Sequence, residues 1–307
     1  MAEHVAPALY FLQVHLLVAT LVALGAWVLT TRSRASATAK LWIWTAASLN
    51  FVLPLGGFVD GFGARDLPGA QQLVPLASLD LTLAHHLKVV TVAGGLYLGG
   101  AMLLLLRLWR RIRAERRAAP GRVATDAPQW RVAGVPVHFT GDTGPAVAGI
   151  LYSRICLPQG IEQLLTAPEL EAVLLHEITH AKRRDNLLRL VHELVQCLLW
   201  FHPLVWLVGA RLALYRELSC DESVLQRSRG GLLVSALAKL ALHENTPVLQ
   251  SAATALASER LERLLAPALP APQRLANIVV GAAFVGLLLG GTLFTVAHTA
   301  CCLVPVS

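Results

Sequence analysis

The chain has 307 residues, of which 55% are hydrophobic and 15% charged, and its mean hydropathy is +0.57. A soluble domain carries about 25% charged residues, so a wholly soluble protein is excluded and part of the chain is expected in a membrane. The net charge of +7 does not point to direct nucleic-acid binding, because the basic residues sit mainly beside apolar runs.

Residues 9–29 form the first apolar run long enough to cross a bilayer, without the basic start or small-residue cleavage site of a signal peptide. A retained helix is expected there, with Gln13 and His15 in packing or headgroup contact. Arg32, Arg34 and Lys40 follow without an acid. Residues 41–59 read as a second span, interrupted by Asn50 and Pro54 and opened by Trp42 and Trp44 at interface depth. A Gly- and Pro-bearing external loop is expected over 60–88. The third span is 89–109, whose Gly94-Gly95 and Gly99-Gly100 pairs admit a close neighbour.

Residues 107–117 then carry Arg107, Arg110, Arg111, Arg113, Arg116 and Arg117 against a single acid, Glu115. With Arg32, Arg34 and Lys40, this cluster places both loops in the cytoplasm and both chain ends outside. A fourth span is expected over 276–297, flanked on its cytoplasmic side by Arg260, Arg263 and Arg274. The organisation expected is three spans within 1–117, a cytosolic domain over 118–273, and the fourth span with a short external tail over 274–307. The fold class is a mainly α integral membrane protein with an inserted α+β domain.

Within that domain, 129–157 alternates apolar and polar residues between glycine-bearing turns, so short strands are expected. A strand ending near 154–157 could take an extended substrate as an added strand. Thr166-Ala167-Pro168-Glu169 is a capping box that announces a helix over about 168–183. On that helix lie His176, Glu177 and His180, spelling HExxH. Residues four apart share a helix face, so both imidazoles can meet one metal ion. Glu177 beside it can take a proton from water.

Two histidines do not close a catalytic zinc site, and the stretch Tyr215–Glu222 offers the missing acid. Glu217 and Asp221 share a face, and we assign Glu217 as the third ligand and Asp221 as the carboxylate that orients a ligating histidine. The competing reading is a solvated acidic face opposing Arg211 and Arg216. His202, Tyr215 and Arg216 are candidates to stabilise a developing oxyanion, although His202 also suits a helix end before Pro203. Residues 186–209 are expected as helices packed on the catalytic pair or dipping into the interface, and His192-Glu193 as structural. Arg183, Arg184 and Asp185 read as a salt-bridged helix end that could also support the site. The polar stretch 243–259 is plausible as a self-cleaved loop. The five cysteines, including adjacent Cys301 and Cys302, show no CxxC spacing.

The stretches His176–Asp185, Trp200–Trp206 and Arg216–Glu222, with 144–158, resemble the signature of the BlaR/MecR integral-membrane metallopeptidases. The resemblance implies a gluzincin-type site for one Zn2+, with His176, His180 and Glu217 as ligands and Glu177 as base. It implies a multi-pass protein of the bacterial plasma membrane that senses a wall-active antibiotic and cleaves itself or a cytosolic BlaI/MecI-type DNA-binding repressor. A homodimer is compatible with it. No Ser-x-x-Lys motif occurs and only His298–Ser307 follow Ala297, so direct β-lactam acylation is not expected. Two rivals are a quality-control protease similar to the HtpX/Ste24 group and a non-catalytic receptor stabilised by zinc. The intact Glu177 argues against the latter, and the Phe201-His202-Pro203 stretch and span order against the former.

Overall fold

The computed structural model describes residues 2–53, 83–118, 131–140, 144–227, 229–243, 260–265 and 273–303. Three helices among them are long and apolar enough to cross a membrane. These are α1 (Ala2–Arg32), α3 (Leu83–Ala118) and α9 (Arg274–Leu303), with apolar windows at Leu12–Arg32, Thr91–Glu115 and Arg274–Thr295. The second expected span appears as α2 (Ala37–Asn50), a helix of 14 residues followed by a turn at Phe51. Such a helix rises about 21 Å, short of the roughly 30 Å of a hydrocarbon core. Residues 54–82, which held the rest of that span and most of the expected loop, lie outside the described residues.

The expected strands form a four-stranded sheet of β1 (Arg131–Val132), β2 (Val135–Thr140), β3 (Ala146–Ala148) and β4 (Arg154–Pro158), in the order β1-β2-β4-β3. β2 and β4 run parallel, and the other pairs antiparallel. After a single turn, α4 (Ile161–Leu164), come α5 (Ala167–Arg183), α6 (Asp185–Leu198), α7 (Pro203–Leu225) and α8 (Gly230–His243). Residues 260–265 are also helical.

Two cores result. Ile155, Leu157, Ile161, Val173, Val224 and Leu233 join the sheet to α5, α7 and α8. Val22, Leu41, Trp44, Val205, Leu218 and Phe284 join α1, α2, α7 and α9. α7 belongs to both, because its 23 residues rise about 35 Å. Trp44, expected at an interface, is fully buried in the second core, and its indole N–H donates to Thr30 at 3.2 Å. Trp42 on the opposite side of the turn is half exposed.

The α6–α7 hairpin is the feature that joins the two cores, and residues 186–209 do form packed helices. At its open end Asp185 and Glu217 enter the cleft described below. At its closed end, residues 199–202 meet the middle of the apolar helices. Trp200 donates its indole N–H to Tyr97 O at 3.3 Å, Tyr97 donates to Leu198 O at 2.9 Å, and His202 lies 3.1 Å from Thr20. His192 meets Ser48 at 2.7 Å, and Glu193 accepts both arms of Arg111. His15 is buried with its Nε2 3.3 Å from Phe51 O.

Candidate metal centre

Burial on α5 falls on Glu169, Ala172, Val173, His176, Glu177, Ile178 and Ala181, and all but Ile178 follow the three-and-four spacing of one helix face. HExxH therefore lies on the stripe this helix must bury. The start of α5 is held by the expected capping box, in which Glu169 accepts the Thr166 N–H at 2.8 Å. The same carboxylate accepts from Ser235 and Lys239 of α8, at 2.6 and 2.7 Å. Cap and tertiary contact together hold Glu169 down to about 2, with Lys239 the largest influence.

α5 ends at Arg184, whose φ of 57° and ψ of 48° are left-handed. One residue in that conformation breaks the helix and starts α6 at once. The turn brings the Asp185 carboxylate back to His180, where it accepts from Nδ1 at 2.6 Å. His180 Nε2 is thereby left facing the cleft. Arg183 holds Asp185 through Nε and Nη2, at 2.5 and 2.6 Å, and also donates to Ser219 and to Arg216 O. The salt-bridged helix end is thus also the support of His180.

His176 Nε2 and His180 Nε2 lie 3.2 Å apart. Glu217 on α7 reaches both, with Oε2 3.6 Å from His176 Nε2 and Oε1 3.6 Å from His180 Nε2. In a tetrahedral zinc site with bonds of about 2.0–2.1 Å, neighbouring donor atoms sit roughly 3.3 Å apart. Two imidazole lone pairs and one carboxylate at these separations fit such an ion. Asp221, one turn after Glu217, places Oδ1 3.1 Å from His176 Nδ1. A second triad of His180, Asp185 and Cys220 is close enough for a metal, but the Arg183 guanidinium already bridges Asp185 and Cys220 there.

Electrostatics agree with a cation between these groups. Burial opposes charge on His176, yet Asp221 and Glu217 lift its pKa to about 9, so the field that favours a proton there favours a metal ion as well. Burial raises Glu217, but His176, His180 and Arg260 overcome it and hold the carboxylate far below its ordinary range. Glu177, in contrast, is pushed up, chiefly by burial, with the imidazoles opposing. A base raised in this way is better matched to taking a proton near neutral pH.

These groups open on a cavity of about 330 Å3. Val173, Leu233, Leu237 and Leu240 form its apolar wall, and Asn186, Arg189 and Arg216 the polar one. The strand beside it is β3, through Pro145, Ala146 and Val147. This corrects the expectation for 154–157: β4 is paired on both sides, with β2 and β3, and has no free edge. Asn186 donates to Val147 O at 2.8 Å and ties β3 to α6.

Among the expected oxyanion helpers, Arg216 lines the cavity. His202 and Tyr215 do not, and both expectations are corrected. His202 packs edge-on against Phe51 and contacts Thr20 at the closed end of the hairpin, as the residue preceding α7. Tyr215 is buried against α2, with Lys40 over its ring at 5.8 Å. Arg260 is the residue that sequence reading missed. It donates to both Asp221 oxygens, at 2.8 and 2.9 Å, and lies 3.0 Å from Glu217. It stands 39 residues from Asp221, and its only visible role in the sequence was as a charge before an apolar run.

Comparisons with known proteins bear on the family of the chain. Over 82 residues the chain is 38% identical to the Regulatory protein BlaR1 of Bacillus licheniformis, covering 27% of this chain and 14% of that protein. It is 28% identical over 82 residues to the Methicillin resistance mecR1 proteins of Staphylococcus aureus and Staphylococcus epidermidis, with the same coverage. The matched stretch thus spans about a seventh of the length of these curated relatives. The model of the BlaR1 peptidase M56 family matches residues 81–264, which takes in α3, the sheet, HExxH, Glu217 and Arg260. With well over half of its length inside that match, the chain belongs to the BlaR1 peptidase M56 family.

Proposed function

We propose that the protein is a membrane-embedded zinc endopeptidase. The observation that carries this reading is the convergence of His176 Nε2, His180 Nε2 and the Glu217 carboxylate beside the buried Glu177. Zinc, when bound, supplies a Lewis acid that acidifies water and polarises the scissile carbonyl. His176, His180 and Glu217 would hold it, while Asp221 and Asp185 orient the two imidazoles through their other nitrogens. Glu177 accepts a proton from water and returns it to the leaving amine. The substrate lies extended along β3 in the cleft.

The orientation we infer puts this domain in the cytosol and both chain ends outside. The relatives named for regulation and for methicillin resistance support a signalling role, in which the protein cleaves itself or a BlaI/MecI-type repressor. Glu177→Ala in the full-length protein is the first test. We expect retained zinc and peptide cleavage lowered by about 10²–10⁴-fold. Undiminished cleavage of the same peptide by that variant would sink the mechanism. If neither the full-length protein nor the repressor fragments under wall stress while zinc is bound, the signalling role alone is removed.

A further inference from the structure

We infer that Arg216 makes the cleft selective for peptides carrying a carboxylate close to the scissile bond, which rests on the peptidase reading above. The cations around the centre are otherwise spoken for. Arg260 holds Asp221 and Glu217, Arg183 holds Asp185, and Arg189 pairs with Glu193 and lies 3.9 Å from Glu115. Arg216 lines the same cavity one residue before Glu217, and its guanidinium makes no hydrogen bond or ion pair with another described side chain. The side chains that bond to Arg216, Arg183 and Ser219, take its backbone carbonyl.

Asp185, Glu217 and Glu193 attract the half-buried guanidinium without bonding to it, and a ligand carboxylate that accepts both arms of its fork would supply the direct contact they do not. A divalent cation bound between His176, His180 and Glu217 would add positive charge to the same space, so an anionic group is favoured there. The α8 residues that line the cavity, Leu233, Leu237 and Leu240, have nothing to offer an acidic side chain. The carboxylate is therefore directed to the α6–α7 side, where Asn186 and Arg189 flank Arg216. The chemistry is a peptide carboxylate, from a Glu or Asp side chain or from a free C-terminus.

The test uses full-length, zinc-loaded protein in nanodiscs and a peptide set in which each position in turn is Glu or Gln. Each peptide carries either a free or an amidated C-terminus. One position should favour Glu over Gln by roughly 10–100-fold in kcat/KM. Arg216→Gln should bring that ratio close to one, and Arg216→Lys should retain part of it. A preference that follows the free C-terminus instead identifies the terminal carboxylate as the ligand.

Absence of any acid preference overturns the inference. So does an Arg216→Gln variant that slows Glu and Gln peptides equally, which would mark Arg216 as a positioning or oxyanion-stabilising group. If the wild-type protein cuts no peptide while holding zinc, the peptidase reading fails by itself. Anisotropy of the same labelled peptides on the Glu177→Gln protein then decides the point. Acid-selective binding that Arg216→Gln abolishes sustains the carboxylate site, and unselective binding removes it.

Discussion

At the scale of single residues, two buried carboxylates set the direction of two imidazoles. Asp185 holds His180 from the side of α6, and Asp221 holds His176 from the side of α7. Groups of this kind typically contribute 10–100-fold to metal affinity. Asp185→Asn and Asp221→Asn should each weaken zinc binding by about that factor in a chelator competition, and unchanged affinity would refute the orienting role. Burial raises both carboxylates, but Arg183 and His180 pull Asp185 below its ordinary range, and His176 and Arg260 do the same for Asp221.

Glu169 offers a pH test away from the metal centre. Its folded pKa of about 2 is depressed from an ordinary value of about 4.3, so its stabilising effect is complete above the latter. The effect is lost as pH falls through about 2. The melting temperature of Glu169→Gln should lie below wild type at neutral pH, and the gap should close as the solution is acidified below about 4. A gap that persists or widens on acidification would contradict the capping and α8 contacts.

At the scale of elements, the junction of α5 and α6 and the turn after β3 each depend on one left-handed residue. At Arg184 that conformation is unusual for a residue with a Cβ. Arg184→Gly should preserve the junction. Arg184→Val should lower stability by about 1–2 kcal/mol, since a β-branched side chain crowds a left-handed backbone. Denaturant unfolding of the pair compares them, and equal stability would show that the junction is not strained. At Gly149 a Cβ would meet Tyr152 O at 2.2 Å with φ at 93°. Gly149→Ala should therefore disturb the β3–β4 turn and, through the Asn186 bond to Gly149 O, the edge of the cleft.

At the scale of the molecule, the α6–α7 hairpin joins the metal centre to the apolar helices. Asp185, Glu217 and Asp221 are at one end and Trp200 and His202 at the other. Glu222, one residue beyond Asp221, accepts the N–H groups of Ala37 and Thr38 at the start of α2, at 3.2 and 3.3 Å. The helix that carries Glu217 is thus bonded to the start of α2, which in turn packs against the apolar helix α1. Gly100 permits the close seating of Trp200 on α3, because a Cβ there would fall 2.5 Å from the indole. Gly100→Val should displace the closed end at an expense of about 1–3 kcal/mol, whereas Gly99→Val, with nothing within 4 Å, should be near neutral. Thermal unfolding in detergent distinguishes them, and equal behaviour of the two variants would refute the contact.

Much of the metal centre was legible in the amino-acid order. HExxH sets two candidate ligands on one face by the helical repeat alone, and the capping box at Thr166 independently announces the helix that carries them. Glu217 and Asp221 follow from the same four-residue spacing, and the apolar runs of α1, α3 and α9 from length and hydropathy. These are local periodicities, determined by the chain within a few turns. Other features required tertiary structure. Arg260 joins Asp221 across 39 residues, Asp185 reaches His180 only through the turn at Arg184, and His202 and Tyr215 pack away from the cleft. The edge strand beside the cleft is β3 because β4 is enclosed between two partners. No periodicity encodes which of several charged residues will meet after the chain has crossed itself, since that is set by how the two cores share α7. The residues that could hold a metal are therefore written in the sequence, while the charges that surround them are decided by packing.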